Sequence, residues 1–192
     1  TANLYEAFCD RWAGGGACLT RHCLTPRRCP NLRLGYKASV DLLKGLRSLA
    51  GVKHVFIASG FRHDLLAEKD ALPYLKEVLS QHVSGQMKVA PEHTSDAVLA
   101  LMNKPPLAVY RKFKKNFDFL GKAIERKQFL VHYFISSHPG ATLEEALALS
   151  LDLQRMGIYP EQIQDFMPLP LTLSGAIYYT GKDPTSGKEV YV

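Results

Sequence analysis

The chain has 192 residues, 46% of them apolar and 22% charged, which is an ordinary globular composition with enough length for one substantial core. No apolar run approaches the ~18 residues a membrane helix needs, and no secretory apolar region opens the sequence, so a cytoplasmic protein without a membrane anchor is expected. The net charge of +6, from 24 Lys and Arg against 18 Asp and Glu, permits an acidic partner but does not require one.

The opening Thr-Ala-Asn lacks an initiator Met and suggests a fragment or a processed piece. Residues 1–35 read as an irregular segment, rich in Gly and Cys and basic between Arg21 and Arg33. A helix is expected over Lys37–Leu49, with Val40, Leu43, Leu46 and Leu49 on one stripe and Gly51 ending it. Val52–Ser59 has strand-forming residues, and Gly60 permits a turn. Asp64–Val83 reads as mainly helical, with a break near Pro73. Gln86–Ala90 is the next expected strand. A short helix over Ser95–Asn103 follows, stopped by Pro105 and Pro106.

Pro106 suits the first turn of a long helix running to Lys127. Its charges, among them Arg111, Lys112, Lys114, Lys115, Lys122, Arg126 and Lys127, could face nucleic acid. Beneath them Val109, Phe113, Phe117, Leu120 and Ile124 form a core stripe, which favours a solvated helix face. Phe129–Ser136 is a strand. Thr142-Leu-Glu-Glu145 reads as a capping box: the Thr142 hydroxyl accepts from the Glu145 amide, and the Glu145 carboxylate accepts in return. That helix runs to about Met156 and closes at Gly157. Gln162–Met167 is a last strand, ended by Pro168 and Pro170. Thr180–Val192 is a tail with turn signals at Gly181, Asp183-Pro184 and Ser186-Gly187.

Four strands joined by helices give an α/β class with a mainly parallel sheet. Four βα units are too few for a closed barrel. Two of the strand-to-helix junctions are crowded with polar groups. One, in Met87–Met102, carries Lys88, Glu92, His93, Thr94 and Ser95. The other, in Phe134–Leu149, carries Ser136, Ser137 and His138. In parallel α/β folds such junctions line the ligand-binding end of the sheet, so a shared site is expected.

The cysteines stand at positions 9, 18, 23 and 29, with none beyond. Disulfide frameworks belong mostly to small secreted domains with weak cores. A metal or iron–sulfur site needs thiolates close together on loop, and Gly14–Gly16, Pro26 and Pro30 supply loop. The spacings C-x8-C, C-x4-C and C-x5-C are not those of a zinc ribbon and leave metal and non-metal readings balanced.

Several stretches carry a resemblance. They are TANLY at Thr1, CPNL at Cys29, FIASGFRHDL at Phe56, KVAPEHTSD at Lys88, YFISSHPG at Tyr133, QDFMPLPLTLS at Gln164 and YYTG at Tyr178. Together they make the chain similar, nearly end to end, to the YgiQ-like branch of the radical S-adenosylmethionine superfamily. The resemblance implies part of a TIM-like (β/α)6 barrel over residues 36–179, flanked by a Cys-rich segment at 1–35 and a tail at 180–192. In that family a CxxxCxxC loop after the first strand holds the catalytic 4Fe–4S cluster. A GG segment after the second contacts the methionyl end of the cofactor. By this alignment Thr1 falls just after the GG segment, and the strands here are the third to sixth. No CxxxCxxC occurs in this chain, so it would not by itself ligate the catalytic cluster. Smaller departures are His132, Met167 and Leu171, where the family pattern has Pro, Tyr and Gly.

The resemblance implies a reduced cluster that cleaves S-adenosylmethionine to a 5′-deoxyadenosyl radical, which takes a hydrogen from a substrate not identified by the sequence. A separate electron donor is then a partner. Lys88, Glu92 and His93 would meet the ribose hydroxyls or the aminoacyl end. Ser136, Ser137 and His138 would shape the adenine pocket, and Phe166 and Met167 would hold adenine. The plainer readings are a helix start organised by Glu92 and Thr94, a tight turn at Pro139-Gly140, and core packing for Phe166 and Met167. Cys9, Cys18, Cys23 and Cys29 match a second cysteine group of the family, suited to an auxiliary iron–sulfur cluster or zinc. The competing functions are a non-catalytic metal-binding module and a nucleic-acid-binding one.

Overall fold

The computed structural model describes residues 5–7, 14, 18, 22–25 and 27–192. The elements in chain order are β1 (Tyr5–Ala7), β2 (Leu32–Leu34), α1 (Tyr36–Arg47), 3-10 turns at His63–Leu66 and Lys69–Ala71, α2 (Leu72–Glu77) and a π-helical turn at Val78–His82. There follow β3 (Gln86–Glu92), α3 (Asp96–Leu101), α4 (Leu107–Ala123), β4 (Phe129–Ser136), α5 (Leu143–Arg155), β5 (Gln162–Asp165) and α6 (Leu173–Thr180). β1 and β2 pair antiparallel, so the segment expected to be irregular holds a short ladder. The other strands form an open parallel sheet in the order β3-β4-β5, with Tyr133 beside Gln162 and Ser136 beside Asp165. The class is α/β, as expected, with three strands in the sheet instead of four.

The chain divides into two compact units, residues 1–89 with 109–130 and residues 90–108 with 131–192. In the first unit, Tyr110, Phe113, Phe117 and Leu120 of α4 are buried, while Arg111, Lys112, Lys115 and Lys122 are exposed. This is the stripe and charged face expected of an amphipathic helix. Lys112 pairs with Glu68 at 2.7 Å and Lys114 with Asp118 at 2.6 Å. Pro73 lies in the first turn of α2, where its missing N–H costs nothing, and marks the expected break. In α1 the buried residues are Tyr36 and Leu43, whereas Leu46 and Leu49 of the expected stripe are exposed. Tyr36 fixes this rotation: its ring lies 6.0 Å from that of Tyr74, and its hydroxyl donates to the Leu65 carbonyl.

Val52–Ser59 corrects the sequence reading. The segment joins no ladder: Val52 and Phe56 are exposed, and the Ile57 amide donates to the His82 carbonyl at 2.9 Å. One isolated bridge follows, between Phe61 and Val89. Strand propensity describes side chains that fit a pleated surface, and it is realised only where a neighbouring strand provides one.

In the second unit, Val98 and Leu99 of α3, Phe134 of β4, Leu149 and Leu153 of α5 and Ile177 of α6 are buried. The Asp96 carboxylate accepts from the Leu107 amide at 2.7 Å, so the first residue of α3 also starts α4. Thr142 is the N-cap of α5, but the capping box differs from expectation. The Thr142 hydroxyl receives no amide and instead faces the carboxylates of Glu144 and Glu145, which share its one proton. β5 stops at Asp165, two residues short of Met167, and its four residues are exposed. The sequence pattern does not give α6. The Thr172 hydroxyl caps it by accepting from the Gly175 amide at 3.1 Å, and Gly181 closes it at φ 66°. The tail returns to the second junction, where the Gly140 amide donates to the Tyr191 carbonyl at 2.7 Å. No helix among the described residues is long and apolar enough to cross a membrane.

Candidate functional site

β3 runs two residues beyond its expected end and finishes at Glu92 with φ 68°. Ser137, directly after β4, has φ 57°. For residues with a Cβ this backbone costs roughly 1–2 kcal/mol, and such strain collects where a site over-determines the chain. The reversal at Glu92 is closed by the His93 amide, which donates to the Pro91 carbonyl at 2.9 Å. The Glu92 carboxylate then meets Lys104 at 2.8 Å, with only 20% and 25% of the two side chains exposed. Lys104, which no periodicity singles out, thus neutralises and fixes the acid.

His138 is 3% exposed. Its Nδ1 lies 2.8 Å from the Pro139 carbonyl, and its Nε2 lies 2.8 Å from the Ser174 hydroxyl. Phe166 meets it edge-on, with centroids 4.8 Å apart. Burial lowers the imidazole pKa; the Pro139 hydrogen bond and the Glu92 charge oppose that shift without cancelling it. His93 is 1% exposed, and its Nδ1 accepts from the Ser95 amide at 2.9 Å. Burial lowers its pKa as well, with Glu145 opposing and His138 adding to the shift.

Glu92, His138, Phe166 and Met167 line one cavity of about 320 Å³, together with Asp165 and Ser174. That volume is at the small end of ligand pockets. Ser136 holds the rim: its hydroxyl donates to the Asp165 carboxylate, and its carbonyl accepts from the Phe166 amide at 2.9 Å. The cavity therefore offers an aromatic edge, thioether and aliphatic surface, and two carboxylates. Such a lining suits a flat, partly apolar ligand that carries hydroxyl or N–H donors.

The other expected site residues lie elsewhere. Lys88 is exposed within β3, and its carbonyl accepts from Phe61 at 2.8 Å. His93 does not line the cavity; it organises the start of α3. Thr94 is buried, with its hydroxyl unpaired, and Ser137 is exposed at the turn. The sequence reading missed Lys104, Asp165 and Ser174. Asp165 and Ser174 both fall in the QDFMPLPLTLS stretch, the one signal that could have found them. A larger hollow of about 760 Å³ beside α6, lined by Pro168, Pro170, Leu171 and Tyr179, offers no carboxylate, imidazole or amine.

Cys9 lies outside the described residues. Cys18 is exposed, and Cys23 and Cys29 are half-buried, with the Cys29 amide donating to the Cys23 carbonyl at 2.8 Å. Among the described residues, no three His, Cys, Asp or Glu side chains are grouped to hold a metal ion.

No family model matches the chain. It is similar over all 192 residues to proteins named UPF0313: 45% identical to one from Methanosarcina acetivorans, 44% to one from Methanosarcina mazei and 44% to one from Clostridium botulinum strain Loch Maree. The whole of this chain covers 26%, 30% and 30% of those three proteins, so it spans less than a third of the length of the relatives it matches.

Proposed function

We propose that this chain forms the adenosine-binding side of a radical S-adenosylmethionine enzyme whose substrate is not identified. The observation that supports this most strongly is the convergence of Glu92, His138 and Phe166 on one cavity. These residues lie at or just beyond the carboxyl ends of β3, β4 and β5, where parallel α/β sheets bind ligands. The same stretches carry the resemblance to the YgiQ-like branch, and a partial (β/α) barrel is the architecture that goes with it.

The lining fits a nucleoside. Phe166 and Met167 give apolar surface for a purine, and Glu92 and Asp165 give acceptors for ribose hydroxyls. When bound, S-adenosylmethionine supplies hydrogen-abstracting power through reduction at an iron–sulfur cluster. The cysteine spacings of this chain do not fit the ligand loop of that cluster. Among the described residues no three such side chains are grouped around a metal ion; Cys9, Cys18, Cys23 and Cys29 are proposed as ligands of an auxiliary iron–sulfur cluster or zinc on the resemblance alone, and no step is routed through either group. What the chain does is bind and orient. Lys104 holds the Glu92 carboxylate in place, Ser136 holds Asp165, and the buried His138 packs against Phe166 and helps exclude water from that end of the cavity.

The test is calorimetric titration of the natural-length protein, reconstituted anaerobically, with S-adenosylmethionine. A hydrogen bond to a charged group is worth about 1.5–3 kcal/mol, so Glu92→Ala is expected to weaken binding roughly 10- to 100-fold. Unchanged affinity removes Glu92 from the site.

A further inference from the structure

Ser174 stands in the first turn of α6, in a stretch whose pattern predicts neither a helix nor a site. Its hydroxyl is 2.8 Å from His138 Nε2, and it lines the same cavity as Glu92 and Phe166. The direction of that hydrogen bond follows from the other side of the ring. A carbonyl only accepts, so the 2.8 Å contact with Pro139 places the proton on Nδ1. In a neutral imidazole, which the burial of His138 favours, Nε2 is then bare and accepts from the Ser174 hydroxyl. Ser174 spends its one proton on His138 and keeps its oxygen lone pairs for the cavity. Thr172, the other hydroxyl in the wall, is engaged at both ends: it donates to the Leu169 carbonyl at 2.7 Å and accepts from the Gly175 amide at 3.1 Å.

We propose that Ser174 is a ligand-binding residue of this cavity, held by His138 as a hydrogen-bond acceptor, so that the ligand must bring an O–H or N–H group to it. His138 acts through Ser174 and is a positioning residue. The assignment rests on the nucleoside reading above for the choice of probe.

The experiment titrates adenosine into the natural-length wild-type protein and into Ser174→Ala. The titrations are repeated with purine riboside and with 2′-, 3′- and 5′-deoxyadenosine, which remove the donors one at a time. Loss of one neutral hydrogen bond is expected to weaken adenosine binding about 3- to 10-fold. One analogue, the one lacking the donor that Ser174 receives, should bind both proteins equally. The ¹⁵N shifts of His138 should show a protonated Nδ1 and a bare Nε2. Adenosine binding that is unchanged in Ser174→Ala overturns the assignment, as does a difference that persists undiminished in all four analogues. A proton on Nε2 in the neutral ring overturns it too. Failure of the wild type to bind adenosine is a distinct result: it overturns the nucleoside reading, and the role of Ser174 with it.

Discussion

Substitution of Glu92 separates the stability cost of its backbone from the use of its carboxylate. At φ 68° a residue with a Cβ loses roughly 1–2 kcal/mol, and glycine recovers this less the ~0.5–1 kcal/mol of extra chain entropy it surrenders on folding. The net relief is about 0.5–1 kcal/mol. The ion pair to Lys104, 2.8 Å long between side chains that are mostly buried, is worth about 1 kcal/mol. Glu92→Ala loses the pair and keeps the strain, so it should be less stable by about 1 kcal/mol. Glu92→Gly loses the same pair but gains the relief, and should fall within about 0.5 kcal/mol of wild type. Urea unfolding with an unchanged m-value reads the difference directly. At an ordinary extended position the order would be reversed, with glycine the less stable. A glycine variant less stable than the alanine variant refutes the claim that Glu92 carries strain, whatever the two variants do to ligand affinity.

Gly175→Ala would drive a Cβ into the Leu169 carbonyl oxygen, well inside van der Waals contact, and place it 2.8 Å from Thr172 Oγ1. Because one neighbour is backbone, a loss of about 1–3 kcal/mol is expected in thermal melts, and a change below ~0.3 kcal/mol would contradict the packing. Thr172→Ala removes the α6 cap and should cost about 1 kcal/mol, read from the urea midpoint; no change would mean the cap contributes nothing. His93 and His138 both have pKa values lowered from the usual 6.5, chiefly by burial. The unfolded chain therefore binds protons that the folded chain resists, so their contribution is complete above about 6.5 and is lost as pH falls through the folded values. The urea midpoint should drop between about pH 7 and pH 5, less steeply in His138→Gln, and a flat profile would contradict buried neutral histidines.

Much of the fold was legible because its elements are local. β4 has the residues expected of it, α4 shows its stripe of Phe113, Phe117 and Leu120, and Pro73 marks the start of α2. Tertiary pairing was not legible. Val52–Ser59 has the composition of a strand, but whether a ladder forms depends on a neighbour distant in sequence. α6 escaped notice because its start sits among Pro168 and Pro170, and its cap, Thr172, lies outside any capping-box pattern. Glu92, His138, Phe166 and Met167 of the cavity were singled out from junction position and resemblance. Lys104 was not, since a partner supplied from beyond α3 leaves no periodic trace. His93 stands at the same junction, but its buried ring accepts from the Ser95 amide and does not line the cavity.

Photolabelling locates the proposed site most directly. The natural-length protein is irradiated with 8-azidoadenosine, with and without excess S-adenosylmethionine, and the labelled peptides are mapped. Label is expected within residues 133–140 and 164–174, suppressed by S-adenosylmethionine. Label confined to other peptides, or label at these peptides that S-adenosylmethionine leaves unchanged, would contradict an adenosine site in the cavity of Glu92, His138 and Phe166.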